Sequence, residues 1–524
     1  MYINYSIKKG HEYASVTNSV RKGNTTVKEN SIYLGRVVDK EKNIFKNRER
    51  GLFVYDIKTN TFTSVPPEYQ EPKITRKTKY RRRPVHDIAF GDVFLLHTYL
   101  KEIGFYKVIE GIKFRNPDTI YALLCFYVLC KLSNSCAQTW FDLSYAKFLF
   151  PQAQLSSQRI SDALKDIGSE EARRGFFKEY VPFLKERNLI TIENGVVNGI
   201  LIDSTGLPNA VHMPITAVSN HNGVINEEVR LIYAVQQSTG IPLFYRYVSG
   251  NVVDVSTLLR TIIELEANSI TTKFLILDAG YYTGKNADEL YERKIDFLCR
   301  MKGNYKVYRN IIAEHLVGLD SKSNFIRHHG RRYYIKHVPC LIGTNEDLPA
   351  HAYLCKDVNV NDDQARHLCA KAEDQNMSDD ELYDEMIEKG VFVLVSSKEV
   401  ATKELLPLYY TRDQAEKAFN ISKHNAKILP LNVEDEDRFR GHILMSFMAT
   451  IIVKMLKDKL KEQKRKKSRE PLTVEKMFFV LNNHRALVYE NDLLINEAVA
   501  EANIAYSTFG INVPVSIPIK EPLM

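Results

Sequence analysis

The stretch Gly199-Ile-Leu-Ile-Asp203-Ser-Thr-Gly206 places a carboxylate directly after a short apolar run. The same pattern recurs at Phe274-Leu-Ile-Leu-Asp278. Short apolar runs bounded by turn residues predict buried strands. Taken singly, each aspartate is better explained as a turn cap. Together they favour a shared site, because the carboxyl ends of strands in an α/β sheet open into the crevice where ligands bind.

The sequence around these two aspartates predicts an α/β fold. Strand-like runs and helical stretches follow one another in the order of three strands, a helix, a strand and a helix. The strand-like runs are Gly199–Ile202, Val229–Val235, Leu243–Val248 and Phe274–Leu277, and the helical stretches are Asp254–Glu266 and Thr283–Arg293. Mg²⁺ prefers hard oxygen ligands and keeps coordination positions open for a phosphate, so two acids at strand ends suit a magnesium site.

A third group of polar residues lies further along the chain. Tyr409, Arg412, Glu416 and Lys423 are spaced so that they fall on one stripe of a single predicted helix. An acid flanked by two cations and a phenol suits a phosphate ligand, since the cations can neutralise its non-bridging oxygens. The same spacing is also typical of an ordinary surface ladder of ion pairs, and spacing alone does not separate the two interpretations.

The basic residues are distributed unevenly along the chain. Residues 1–100 hold 19 Lys and Arg against 10 Asp and Glu, whereas the other residues hold 53 against 54. Much of the excess lies at 73–83, where seven of eleven residues are basic. Such a run predicts phosphate contact in preference to a plain solvated linker. The predicted contacts are Arg76, Lys77, Lys79, Arg81, Arg82 and Arg83.

The spacing Tyr409-x2-Arg412-x3-Glu416-x6-Lys423 resembles the Tyr-Arg-Glu-Lys signature of bacterial insertion-sequence DDE transposases of the IS-four type. Five other segments resemble the same group: LIDSTG at 201–206, GNVVD at 250–254, LDAGYY at 277–282, RMKGN at 300–304 and RFRGH at 438–442. The resemblance covers about residues 195–450, and the stretch Tyr33–Glu41 is similar to the IS1634-like branch.

The resemblance implies a ribonuclease H-like catalytic core, interrupted by a mostly β insertion, behind N-terminal β and helical domains. It implies a DNA transposase that cuts and joins strands, with Asp203, Asp278 and Glu416 as catalytic metal ligands and two Mg²⁺ ions, for which Mn²⁺ can substitute. Tyr409, Arg412 and Lys423 would grip DNA phosphates. The partners would be double-stranded DNA, as terminal inverted repeats and target, and a second copy of the chain on that DNA.

The predicted domain organisation follows from changes in periodicity along the chain. It comprises an N-terminal β module with a basic arm (1–88), a helical, DNA-binding domain (89–195), the first half of the catalytic core (196–305), the insertion (306–390), the second half of the core (391–480) and a C-terminal tail (481–524). We expect no membrane association, because the apolar stretch Ile120–Cys130 is too short for a membrane span.

Seven cysteines without a CxxC pair indicate reduced thiols, and with no secretory signal at the N-terminus a cytoplasmic location is expected. Two alternatives to a transposase are kept. One is a DNA nuclease that does not transfer strands. The other is a catalytically inactive DNA-binding protein derived from a transposase, against which the presence of all three acids argues.

Overall fold

The computed structural model describes every residue except 9–10, 23–24, 68, 70–83, 194, 222–223, 376, 467–471 and 520–524. The chain divides into two compact units, Met1–Arg83 and Pro84–Met524. The predicted phosphate contacts of the basic run lie outside the described residues; they are Arg76, Lys77, Lys79, Arg81, Arg82 and Arg83.

The described residues of the first unit form one antiparallel sheet. Its strands pair in sequence order: β1 (Tyr2–Lys8), β2 (His11–Lys22), β3 (Thr25–Asp39), β4 (Ile44–Asn47), β5 (Gly51–Asp56) and β6 (Thr61–Ser64). Phe53 and Tyr55 lie two residues apart on β5, so both side chains face the small core of this unit. β5 pairs with β6 as a hairpin across a turn at Asn60, which fits the predicted β module.

The second unit begins with a strand and a block of helices. They are β7 (His86–Ala89), α1 (Gly91–Glu102), α2 (Phe105–Glu110), α3 (Pro117–Leu129), α4 (Ala137–Asp142), α5 (Ala146–Leu149), α6 (Ser157–Ile167) and α7 (Glu170–Glu186). Asn116, Ser156 and Ser169 start three of these helices by accepting a hydrogen bond from the backbone N–H three residues on. Pro182 lies inside α7, although proline disfavours a helix interior, and its buried neighbours hold the helix in the core.

A ten-stranded mixed sheet forms the centre of the second unit. After the small pair β8 (Ile192–Glu193) and β9 (Val196–Val197), the chain forms β10 (Ile200–Pro208), β11 (Ala217–His221), β12 (Val224–Gln236), β13 (Pro242–Ser249), α8 (Leu258–Ala267), β14 (Phe274–Leu277), α9 (Gly284–Glu292) and β15 (Asp296–Met301). β12 is antiparallel to β10 and β13, whereas β14 and β15 run parallel to β10. The predicted α/β class is therefore confirmed.

The segment 306–390 extends this sheet. It contains α10 (Lys306–His315), β16 (Phe325–His328), β17 (Arg331–Ile342), β18 (Leu348–Asp357), α11 (Val358–Gln375) and α12 (Asp379–Ile387), and β19 (Val391–Ser396) follows it. β19 pairs with β15 and β18, which joins the new strands to the central sheet. The insertion was expected to be mostly β, but its helices hold more residues than its strands. The expectation of a mostly β insertion came from the family resemblance and not from the residues of α11 and α12.

The chain ends with α13 (Thr402–Tyr409), α14 (Asp413–Asn425), α15 (Glu436–Lys466), α16 (Val474–Asn482), β20 (Arg485–Val488), β21 (Asp492–Ile495), α17 (Ala500–Phe509) and β22 (Ser516–Pro518). Residues 481–524 were expected to be a tail. Instead β20, β21 and β22 form a sheet with β7, because the alternate apolar residues Ala486 and Val488 are buried there. The predicted divisions at 195, 305, 390 and 480 all fall inside this second unit.

Helix α15 runs through the core of the second unit. Among the described residues, its part Glu436–Glu462 is long and apolar enough to cross a membrane, but 94% of its most apolar window is buried inside the protein. Packing in the core therefore accounts for its composition. The RFRGH segment lies in its first turns, where His442 is buried and hydrogen-bonded to Tyr127 and to the carbonyl of Ile428.

The crossing of α15 and α6 depends on two glycines. A Cβ on Gly441 would lie 1.9 Å from the carbonyl oxygen of Leu164, and a Cβ on Gly168 would lie 1.9 Å from that of Asp437. Both obstacles are backbone atoms, so a side chain at either position forces the two helices apart. The RFRGH segment thus has a packing role in this structure.

We expect Gly441→Ala to lower the free energy of unfolding by about 3 kcal/mol, because overpacking a well-packed crossing shifts backbone and side chains. Urea denaturation measures the effect. Gly303→Ala is the matched control, since its new methyl group would meet nothing closer than 3.7 Å. Equal stability of the two variants would contradict the packing role.

Candidate active site

The sheet register places Asp203 and Asp278 side by side. The parallel ladder of β10 and β14 ends with the pair Ile202 and Leu277, so the two aspartates occupy the next position on each strand. Asp278 follows the end of β14 as predicted. Asp203 does not end its strand, because β10 stays paired with β12 as far as Pro208. The side chain of Asp203 is 14% exposed and that of Asp278 is 40% exposed.

Arg412 joins the two carboxylates. Its Nη1 lies 2.9 Å from Asp278 Oδ1, and its Nη2 lies 3.8 Å from Asp203 Oδ2. Nη1 also donates a hydrogen bond of 3.0 Å to the hydroxyl oxygen of Tyr409. The guanidinium is largely buried, and its Nε has no hydrogen-bond partner among the described residues. One planar cation therefore lies between the two predicted metal ligands.

Burial and charge set the electrostatics of this cluster. Burial raises the pKa of Asp203 to about 6, an effect that Arg412 and the backbone N–H of Ser204 partly oppose and that Asp278 strengthens. Burial likewise raises the pKa of Tyr409 to about 12. Burial alone would lower the pKa of Arg412, but Tyr409 and the two aspartates raise it, so the guanidinium stays charged. The site therefore holds a permanent cation beside a carboxyl that is costly to ionise.

The Tyr409 to Lys423 segment is not one regular helix. Tyr409 ends α13, Tyr410–Arg412 form a turn of tighter 3₁₀ helix, and Glu416 and Lys423 lie on α14. The stripe prediction is wrong in this detail, because the tighter turn rotates the residues before it relative to those after it.

Glu416 lies on α14, beyond the turn that carries Arg412. Its side chain is exposed, and no hydrogen bond or ion pair joins it to another described residue. Lys423 donates a hydrogen bond of 2.7 Å to Thr205 Oγ1, two residues beyond Asp203 on β10. Burial lowers the pKa of Lys423, while Glu228 raises it. The structure thus joins Asp203 and Asp278 through Arg412 and places Lys423 against Thr205, whereas no contact among the described residues ties Glu416 to this cluster.

A neighbouring network was missed by the sequence analysis. Asp254 accepts hydrogen bonds from Ser204 Oγ at 2.6 Å and from Arg230 Nη1 at 2.9 Å. Because Ser204 follows Asp203, this network fixes the strand that presents the first acid. Asp254 is the last residue of the GNVVD segment. The family resemblance of that segment was the signal that could have identified Asp254 as a site residue.

A divalent cation needs several side-chain donors close together in space. Within the described part of the chain, no group of three or more histidine, cysteine, aspartate or glutamate side chains is arranged to hold a metal ion. Two adjacent carboxylates are nevertheless a sufficient protein share for Mg²⁺, which commonly takes one or two carboxylates together with substrate phosphates. Asp203 and Asp278 fit that role once Arg412 no longer neutralises them. Glu416 does not complete the set in this arrangement.

The fold and the site define an α/β protein with paired aspartates bridged by an arginine. The family model described as "Transposase DDE domain" matches residues 198–452, just under half of the chain. This match supports a DDE transposase, and the matched segment contains the site residues Asp203, Asp278, Arg412, Glu416 and Lys423.

The chain is also similar to solved structures. A cryo-EM structure of the piggyBac transposase synaptic complex with hairpin DNA is 12% identical, covers 75% of this chain and 79% of its own, and has a TM-score of 0.39. No curated protein matches the chain.

Proposed function

We propose that this chain is a DNA transposase that uses one acidic centre for strand cleavage and strand transfer. The observation that carries the proposal is the pairing of Asp203 and Asp278 through Arg412, inside the segment that matches the transposase DDE domain. Phosphoryl transfer requires acids that hold divalent cations and bases that bind phosphate, and this cluster supplies both residue types.

In this proposal Asp203 and Asp278 hold Mg²⁺, for which Mn²⁺ can substitute, and Glu416 is the third acid of a two-ion site. When bound, the ions supply Lewis-acid stabilisation of the leaving oxygen and a more acidic water or 3′-hydroxyl. Glu416 lies one helical turn beyond Arg412, with its carboxylate exposed.

Arg412 can pair either with the two aspartates or with a phosphate of the DNA. In the protein alone its guanidinium neutralises Asp203 and Asp278. Two oxygens of one phosphate can accept hydrogen bonds from a guanidinium at the same time, so a phosphate competes with the aspartates for Arg412. Arrival of DNA therefore draws Arg412 onto the phosphate and frees both carboxylates. Tyr409 accepts a hydrogen bond from the same guanidinium and orients it, and Lys423 adds a further cation for the phosphate backbone.

The finer features of the proposal concern fold and family. The sheet order β13-β12-β10-β14-β15 supports a ribonuclease H-like core, with its first acid on the middle strand and its second acid on the adjacent parallel strand. The Tyr409 to Lys423 spacing supports an insertion-sequence transposase of the IS-four type, and the stretch Tyr33–Glu41 supports its IS1634-like branch.

The proposed partners follow from this chemistry. Double-stranded DNA is the substrate, as the terminal inverted repeats of the element and as the target. Two ends must be processed together, so the chain acts on DNA as a homodimer. The proposed setting is the cytoplasm of a bacterial cell, where DNA is accessible and the seven cysteines stay reduced.

The test uses a labelled duplex that carries one end of the element encoding this protein, together with an unlabelled target plasmid. The wild type with Mg²⁺ should cut the duplex at the end of the element and join it to the plasmid, and EDTA should abolish both products. Cleavage without joining would identify a nuclease. Binding without cleavage under any divalent cation would identify an inactive DNA-binding protein.

A further inference from the structure

A second basic surface lies between two helices of the second unit and contains none of the four residues of the Tyr409 to Lys423 signature. A groove of about 460 Å³ separates α14 from α15, and we call it the α14–α15 groove. Its basic lining residues are Lys417, His424, Lys454, Lys457 and Lys461. Gln414, Asn420 and Asn425 supply amide groups to the same groove, and Ile421 is its one apolar lining residue.

The positive charge of the groove is only partly balanced. Lys454 pairs with Asp458, and Lys457 lies 3.9 Å from Glu475. Lys461 is 4.0 Å from the same Asp458, so that one carboxylate serves two lysines. Lys417 and His424 are exposed and form no ion pair within the described part of the chain. The groove therefore has a surplus of cations.

The lysines also repel one another. Lys461 and Lys417 both act to lower the pKa of Lys454, after the larger effects of burial and of Asp458. Burial lowers the pKa of Lys457, and Lys461 and the exposed Lys131 add to that lowering. Like charges held this close are relieved when a polyanion binds and condensed counterions are released.

The groove follows one face of α14. Lys417, Ile421 and His424 share that face, which differs from the face that carries Glu416 and Lys423. The basic positions extend along α14 from Lys417 to His424, which is about 10 Å at a rise of 1.5 Å per residue. One strand of duplex DNA carries a charge about every 3.4 Å of rise, so this length faces about three phosphates.

We propose that the α14–α15 groove binds the sugar-phosphate backbone of duplex DNA. The inference rests on the proposed function. A lining with five basic side chains and one apolar residue among the described residues suits a nucleic acid, because protein–DNA interfaces are much more positively charged than protein–protein interfaces. The contact is independent of base sequence, since it is made to phosphates.

The test compares two double variants that lose the same charge. Lys417→Gln/Lys461→Gln removes the two exposed lysines of the groove, and Lys178→Gln/Lys459→Gln removes lysines on α7 and on another side of α15. Lys454 is kept in both because it is buried and donates a hydrogen bond to the carbonyl of Thr239. Fluorescence anisotropy measures binding to a labelled duplex of mixed sequence over a series of KCl concentrations, with thermal unfolding as the folding check.

We expect the groove variant to bind about tenfold more weakly at low salt, with a log–log salt slope shallower by about two. The control variant should match the wild type. An unchanged slope in the groove variant overturns the inference, as does a wild type that binds no duplex. The same assay is run with labelled polyglutamate. If the groove variant loses binding to polyglutamate while its duplex binding is unchanged, the groove binds an acidic protein and the inference is overturned. A wild type that binds through the groove but never cuts contradicts only the proposed catalytic function.

Discussion

Asp203→Asn is expected to cut duplex DNA more slowly than the wild type by a factor of about a thousand or more, because it removes a charged ligand from the site that stabilises the leaving oxygen. Single-turnover cleavage of an end-labelled duplex in Mg²⁺ measures the effect. The matched control is Asp413→Asn, an exposed carboxylate next to Arg412 that makes no ion pair among the described residues. Equal rates for Asp203→Asn and the control would contradict the assignment.

The same variant separates loss of chemistry from loss of fold. The pKa of Asp203 is about 6 in the folded chain, above its ordinary value of 3.8. Its contribution to stability is therefore fully present below the ordinary pKa and is lost as the pH rises through about 6. Relative to Asp203→Asn, the wild type should gain up to about 3 kcal/mol between pH 7 and pH 4. Urea denaturation at both pH values checks this, and the opposite sign would contradict the buried, costly carboxylate.

Arg412→Gln is expected to bind Mg²⁺ about tenfold more tightly than the wild type when no DNA is present, because the variant no longer neutralises Asp203 and Asp278. Isothermal titration above pH 7, where the carboxylates are ionised, measures the affinity. Lys423→Gln is the matched control, since this lysine bonds to Thr205 and to neither aspartate. Its affinity for Mg²⁺ should not change.

Arg412→Gln should also cleave DNA about a hundredfold more slowly than the wild type, because glutamine cannot hold the phosphate with a two-point contact. Tighter metal binding together with slower cleavage is the signature of an arginine that exchanges between carboxylates and phosphate. If Arg412→Gln binds Mg²⁺ no better than the wild type, the guanidinium does not compete with the metal. The proposed exchange of Arg412 between the carboxylates and a phosphate is then contradicted.

Local patterns predicted the central part of the fold. The apolar runs before Asp203 and Asp278 are buried strands, and the order of strands and helices gave the α/β class. Those signals are short in range and come from burial of successive side chains. They could not show that β10 continues beyond Asp203, because its extension depends on pairing with β12.

Long-range contacts account for the expectations that failed. Strand β20 pairs with β7, which lies at the other end of the second unit, and nothing near residues 485–488 indicates that partner. The bridge from Arg412 to Asp203 and Asp278 likewise joins three separate elements. The sequence predicted Arg412 as a phosphate ligand and missed its contacts with Asp203 and Asp278. Spacing along one helix carries no information about which strands pack against that helix.

The measurement that tests the central claim most directly is cleavage by Asp278→Cys in Mg²⁺ and in Mn²⁺. A thiolate is a poor ligand for Mg²⁺ and a better one for the softer Mn²⁺. If Asp278 holds the ion that drives phosphoryl transfer, the variant should be inactive in Mg²⁺ and should regain cleavage in Mn²⁺, while the wild type works with both. Cleavage by Asp278→Cys in Mg²⁺ at the wild-type rate would contradict the claim that the two aspartates form a metal-dependent active site.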